Sequence, residues 1–171
     1  MIHGGAGQNI ISAGGGSDQV NLTGDQNTVY TGEGRTQVDG AHAEDTVYAT
    51  VNDLINASGG AKPTVVNVEI DPELGRSVEV TGSDAFRQRM ESELDFLRAS
   101  PAGQQMLAEL DAAAQKGNVV TIRELANEQN GYAQTFSRDA DIRNGRAGAG
   151  GDVDISYNPS FHMDEFPAPV V

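Results

Sequence analysis

Side chains able to hold a cation recur along the opening of the chain at a fixed interval. Asn9, Asp18, Asn27, Thr36 and Asp45 stand nine residues apart, and each carries a side-chain oxygen. Hard cations take oxygen ligands, carboxylates above all. Elsewhere the reactive groups are sparser. The histidines are His3, His42 and His162. A zinc site normally takes three or four ligands, and no two of these histidines stand at helical ligand spacing. His162 and Glu165, three apart in HMDE, would share a helical face, but Pro159 and Pro167 argue against a helix there. The histidines therefore read as ordinary surface residues. Asp152 and Asp154 alternate on one strand and so share a face. Paired carboxylates can serve as acid and base, but the solvent face of an amphipathic strand explains this pair more simply. There is no cysteine, which excludes disulfides, thiolate metal sites and cysteine nucleophiles. GxSxG, phosphate-loop and dinucleotide fingerprints are all missing.

The elements that position these groups follow from the same interval. Cut in nines from Gly4, the chain reads GGAGQNIIS, AGGGSDQVN, LTGDQNTVY, TGEGRTQVD, GAHAEDTVY. The eighth place is Ile11, Val20, Val29, Val38 and Val47 in turn. One β-branched residue per nine, set among turn formers, suits short strands stacked as a solenoid. Each turn is too thin to bury its apolar side chain alone and must lie on its neighbour. A flexible Gly/Asn linker has no reason to keep an apolar residue in phase five times.

After Tyr48 the repeat fades, and residues 49–64 read as a cap or linker. Val66, Val68 and Ile70, then Val78 and Val80, alternate around DPELGR and predict a hairpin. Ser83 or Asp84 caps a helix from Ala85 with the stripe Phe86, Met90, Leu94, Leu97. Ser100-Pro101 starts a second helix with Met106, Leu107, Leu110 and Ala114 inward, ended by Gly117. The short joint predicts an antiparallel pair. Strands are expected in VVTIRE, GYAQTFS and DVDISYN, with a glycine-rich loop at 138–151. The fold class is α+β: a parallel β-roll or β-solenoid over 1–48, a cap or linker over 49–64, and an α+β domain over 65–171.

The formal charge is −14 over 171 residues. Nucleic acids need clustered Lys/Arg and anionic membranes repel such a chain, so neither is an expected partner. No stretch is long enough to span a bilayer, and MIHGGAGQN lacks the regions of a cleavable secretion signal. The protein is expected to be exported without such a signal, or to be met in the bacterial cytoplasm before export.

Two family resemblances add to this. The nonapeptide resembles the glycine-rich repeat of the repeat-in-toxin family, GGxGxDx(apolar)x. Gly4, Gly5, Gly7, Gly14, Gly16, Gly32 and Gly34 match it, while Leu22, Thr23, Asp25, Ala41 and Ala43 depart. The resemblance implies two nonapeptides per turn and calcium between turns, with Asp18, Asn27 and Asp45 as its candidate ligands. The columns eighteen apart are Asn9, Asn27, Asp45 and Asp18, Thr36. Neither stacks two carboxylates, so a roll held by Asn/Thr ladders and the apolar row is the alternative. From Val65 onward the chain resembles the front half of the bacterial effector zinc metallopeptidases delivered by type III secretion. Phe86, Met90, Leu94, Leu97-Arg98, the run SPAGQQMLAELD, Val120-Thr121-Ile122 and DVDISYNP carry the likeness. That resemblance implies a following helix bearing HExxH, whose histidines bind zinc and whose glutamate is the base. Here PAPVV stands where the helix would begin, so no catalytic residue and no zinc ligand carries over. The expectation is a truncated fragment of a virulence-associated effector hydrolase, inactive as it stands, with a host protein as substrate or partner. The other reading is a non-enzymatic secreted β-roll that binds or supports, with calcium. Oligomeric state is left open.

Overall fold

A computed structural model describes residues 1–60, 62–125, 131–135, 144–146, 148 and 150–160. The chain divides into two compact units, Met1–Gly75 with Glu91–Glu109, and Arg76–Met90 with the chain from Leu110 on.

Eight short strands open the first unit: β1 (Ile2–His3), β2 (Ile10–Ser12), β3 (Gly16–Asn21), β4 (Thr28–Tyr30), β5 (Gly34–Ala41), β6 (Thr46–Ala49), β7 (Leu54–Ala57) and β8 (Thr64–Asn67). Odd strands form one parallel sheet and even strands another. Register advances by one lap of eighteen residues: Ile2 pairs with Val20 and Val20 with Val38, while Ile11 pairs with Val29 and Val29 with Val47. The sequence repeat is thus half a lap, and alternate nonapeptides feed opposite sheets. Val20, Val29, Val38 and Val47 are fully buried, with Ile11, Leu22, Ala41 and Ala49 around them. The expected solenoid is there, and its corners are tight. Gly34 sits at a φ of 120°, and a Cβ there would run into the Gly16 carbonyl oxygen. Only glycine suits both demands.

Two expectations need correction. The solenoid does not end at Tyr48, because β7 pairs with β5 and β8 with β6. The stretch read as cap or linker therefore holds part of a further lap. Its disguise is a one-residue slip: Val38 pairs with Ile55, seventeen on, while Val47 pairs with Val65, eighteen on. The predicted hairpin does not form either. β8 belongs to the even sheet, and β9 (Glu79–Thr81) to a third sheet. The open edge of β6 offers a ladder already in phase with Thr64–Asn67, and parallel pairing there continues the apolar column from Val47 to Val65.

The outer face of the even sheet carries a tyrosine column. Tyr30 and Tyr48 stack with centroids 4.7 Å apart and planes 5° from parallel. Phe96 meets Tyr30 edge-on at 4.8 Å. This offset and edge-to-face arrangement is the favoured one for aromatic rings. Burial first, and then the neighbouring Tyr48, push the Tyr30 phenol up.

Phe96 belongs to α1 (Asp84–Arg98), which two residues join to α2 (Pro101–Ala114). Both predicted caps are present. Ser83 Oγ accepts the Phe86 N–H at 3.2 Å, and Ser100 Oγ accepts the Gly103 N–H at 3.1 Å. Phe86, Met90 and Leu94 are buried as the stripe required. Met106 is not: it is 45 % exposed, and Gly103 and Leu107 form the buried face of α2. Gly103 is held there by contact, because a Cβ would collide with the Leu97 carbonyl. Arg98 is almost fully buried. Its Nε donates to the Leu74 carbonyl at 2.8 Å, and Nη1 to Glu91 at 3.0 Å and Asp95 at 2.7 Å.

The second unit is built on a sheet ordered β11–β12–β10–β9, with β10 (Val120–Glu124), β11 (Gly131–Thr135) and β12 (Val153–Tyr157). β10 runs parallel to β9 and β12, and β11 runs antiparallel to β12. The three strands expected after the helices are all found. Phe86 packs on Tyr157 at 6.5 Å, and Glu124 accepts the Ser83 N–H at 2.6 Å and its hydroxyl at 3.0 Å.

The apolar columns set a clear difference between two valines of one fold element. Val38→Ala empties a fully buried site and should lower unfolding free energy by about 2 kcal/mol. Val65→Ala, at a site 44 % exposed, should cost under about 0.5 kcal/mol. Urea denaturation of both variants checks the ranking.

Candidate functional site

The oxygen-bearing places of the repeat were the first candidates for chemistry, and the solenoid puts them in two columns. In one, the backbone N–H and the Nδ2 of Asn9 both donate to Asn27 Oδ1, at 3.1 and 2.9 Å. Asn27 repeats the pattern one lap on, donating to Asp45 Oδ1 at 2.8 and 3.0 Å. Asp45 closes the column by accepting the His42 N–H on Oδ2 at 2.7 Å. Asn27 and Asp45 are buried, Asp45 completely. A buried polar group must be paired or it costs stability, and here each amide is paired by the one below.

The second column ends the same way. Asp18 lies opposite Thr36 in the β3–β5 register. The Thr36 N–H donates to Asp53 Oδ1 at 2.6 Å, and the Thr31 hydroxyl and the Thr50 N–H reach Asp53 Oδ2, each at 2.7 Å. Asp53 was missed in the sequence because it stands eight residues after Asp45 rather than nine. The signal that finds it is TVND, an aspartate three residues after a threonine at a turn. Of the three candidate calcium ligands, the structure brings Asn27 and Asp45 together and leaves Asp18 on the other sheet. The oxygens of Asn27 and Asp45 that face their column are engaged by N–H donors.

A third polar cluster lies on the outer face of the odd sheet. Asp39 accepts from Asn56 Nδ2 at 2.6 Å, from Gln19 Nε2 at 3.0 Å and from Gln37 Nε2 at 2.8 and 3.0 Å. These bonds, Asn56 first, then Gln19 and Gln37, hold its carboxyl below its ordinary value. Hydrogen bonds to the charged form favour ionisation.

In the second unit Asp152 and Asp154 are likewise engaged. Asp152 lies just before β12 and accepts the Val119 N–H at 2.8 Å; Asp154 faces Arg123 at 3.4 Å. These are structural roles, in keeping with the simpler reading of the pair. His162 and Glu165 lie outside the described residues. His42 Nδ1 stands 3.9 Å from both Asp25 and Asp45, and Asp45 Oδ2 already holds the His42 N–H. Among the described residues no three His, Cys, Asp or Glu side chains are placed to hold a metal, and the sequence contains no HExxH. Among the described residues the donor set therefore does not fit a catalytic zinc, which takes three protein ligands and an open position.

Two outcomes are expected of these clusters. Asp45→Ala strands the buried Asn27 N–H and the His42 N–H and takes one of the two acceptors from Asn27 Nδ2, and should cost about 2–4 kcal/mol. Asp45→Asn keeps an acceptor for Asn27 and should cost less. The β signal of the wild type in circular dichroism should persist in a chelator, since the columns close on themselves. At Asp39 the folded carboxyl titrates below its unfolded value near 3.8. Its stabilisation is therefore full above that value and is lost as pH falls through the folded one. Removing the charge with Asp39→Asn should flatten acid unfolding in that window, read by fluorescence of the tyrosines.

No curated protein and no solved structure matches the chain. A family model does: Peptidase_M91, described as an effector protein, matches residues 74–170, more than half of the sequence. That span opens just before β9, takes in both capped helices and runs through the three later strands. The stretch whose helix stripe, SPAGQQMLAELD run and DVDISYNP strand resembled an effector peptidase is thus the stretch that matches, and the chain belongs to the Peptidase_M91 family of effector proteins.

Proposed function

We propose that this chain is the part of an effector zinc metallopeptidase that precedes the zinc-binding helix, and that it hydrolyses no peptide bond in this form. The observation that carries this is the pairing of a family match over residues 74–170 with a sequence that has no HExxH. Hydrolysis of an amide at neutral pH needs an activated water and a base. Among the described carboxylates of the second unit, Glu124, Asp152 and Asp154 each hold a structural partner instead. In this reading residues 74–170 supply a scaffold and one wall of a substrate cleft, and the missing segment supplies zinc and base. The protein is secreted into a host, and its substrate is a host protein.

The chain as given, loaded with zinc and dialysed, should retain well under one zinc per molecule by atomic emission and leave denatured casein uncut. The same gene read past Val171 should encode HExxH, and the longer product should hold zinc and cleave. Stoichiometric zinc together with proteolysis by the short chain would refute the proposal, as would a downstream frame without the motif.

A further inference from the structure

The end of the solenoid holds a cleft of about 620 Å³ whose lining includes Glu33, Val51, Val68, Glu69 and Ile70. Its lining residues, 33–70, all precede the span of the family match, so it stands apart from the peptidase reading. Its size is that of ligand sites in general, roughly 300–1,000 Å³. Three features define its chemistry. Val51 is 91 % exposed at the lip, on the turn that Asp53 closes, while Val68 is buried at the wall. Val51 thus sets bare apolar surface at the cleft mouth, opposite the apolar wall of Val68. Glu33 and Glu69 stand eighteen residues before and after Val51, one solenoid period on each side. Among the described residues their carboxylates form no hydrogen bond or ion pair, unlike those of Asp39, Asp45, Asp53, Asp152 and Asp154. Among the described residues no basic side chain lines the cleft.

We propose that this cleft binds an extended basic peptide segment of a partner protein. Lysine or arginine stems lie over Val51 and Val68, as long cationic side chains do on apolar surface, and their charged heads meet Glu33 and Glu69. Successive laps are about 4.8 Å apart, so two laps separate the carboxylates by roughly 10 Å. Alternate side chains of an extended strand recur at about 7 Å, so two basic residues on one face can serve both carboxylates. The partner is cationic because the cleft supplies only negative charge and the chain carries −14, which steers cations and repels anions.

Fluorescence anisotropy of a labelled octapeptide of alternating lysine and alanine tests this on the full chain. The peptide should bind, more weakly as salt rises, and its glutamate–alanine counterpart should not. Glu33→Gln with Glu69→Gln should weaken binding about tenfold, each pair contributing a few-fold. Removing the same charge elsewhere, by Glu79→Gln with Glu109→Gln, should leave it within about twofold. Val51→Ser should weaken it with every charge intact, and circular dichroism confirms that the exposed substitution leaves the fold unchanged. Equal loss from both charge pairs would reduce the effect to net charge and overturn the proposal. So would failure of the lysine peptide to bind, indifference to Val51→Ser, or spermidine binding as tightly as the peptide, which would make the site one for polyamines.

Discussion

Parallel stacking in register, one lap per eighteen residues, is the constraint on which the first unit depends. A lap of this kind cannot stand alone. Its two short strands bury only one or two apolar residues each, and its strand amides pair with those of the neighbouring laps. Stacking answers both needs at once. Val20 on Val38 and Val29 on Val47 make apolar columns, and the backbone amides are paired across laps. The polar columns obey the same rule inside the fold, where water cannot help. Asn9 donates to Asn27, and Asn27 to Asp45. An asparagine can be both acceptor and donor, so it can be repeated. An aspartate only accepts, so it suits the last place. Pro63, paired one lap beyond Asp45 by continuation of the β6–β8 register, has neither an N–H nor a side-chain amide to carry the column further. Asp53 ends the other column in the same manner. The places that resembled a ligand pattern build polar ladders, and Asp45 and Asp53 stand where these ladders stop.

The same periodicity builds an outer surface. A residue repeated at lap spacing makes a stripe, and a stripe of aromatic rings is a ready docking face. Tyr30 and Tyr48 stack, and Phe96 sets its edge on Tyr30. On the opposite sheet the outward residues are amides and a carboxylate, and they bond to one another around Asp39. The two faces thus differ in kind: one takes a helix, the other satisfies itself.

Much of this was legible in the sequence because it is local or periodic. The apolar column, the capped starts of α1 and α2 at Ser83 and Ser100, and the stripe Phe86, Met90, Leu94 all follow from spacing and cap chemistry. The failures share one cause. The slip that sets Val38 against Ile55 breaks a nine-residue count but not the stacking, since a turn can lose a residue while the strands keep phase. Counting therefore ended the solenoid too early and hid Asp53. The alternation around DPELGR looked like a hairpin, yet alternation says only that one face of a strand is buried; it does not name the strand's partner. An edge already in register won. Met106 was placed inward by helical spacing, but Gly103 let the chain approach on its side of the helix and turned Met106 outward. The acidic pair Asp152 and Asp154 shows the limit most clearly. Spacing gave them one face, whereas their roles came from Val119 and Arg123, which are some thirty residues away in sequence.

A carboxylate in this protein can be sorted by what it accepts. Asp45 and Asp53 end ladders, Asp39 gathers amides, Glu124 meets the N–H and hydroxyl of a helix-capping serine, and Asp152 fixes the approach to a strand. Each is held by donors whose loss would cost stability, so none is free to move a proton or take a new ligand without disturbing the fold. General-base chemistry asks the opposite of a carboxylate: access to substrate and freedom to change its proton. Glu33 and Glu69 stand instead in an open cleft beside bare valine, where attraction for a cation, rather than proton transfer, is the physical consequence. The acidity of the chain thus divides into charges that build and charges that attract, and the division follows from hydrogen-bond partners rather than from position in the sequence.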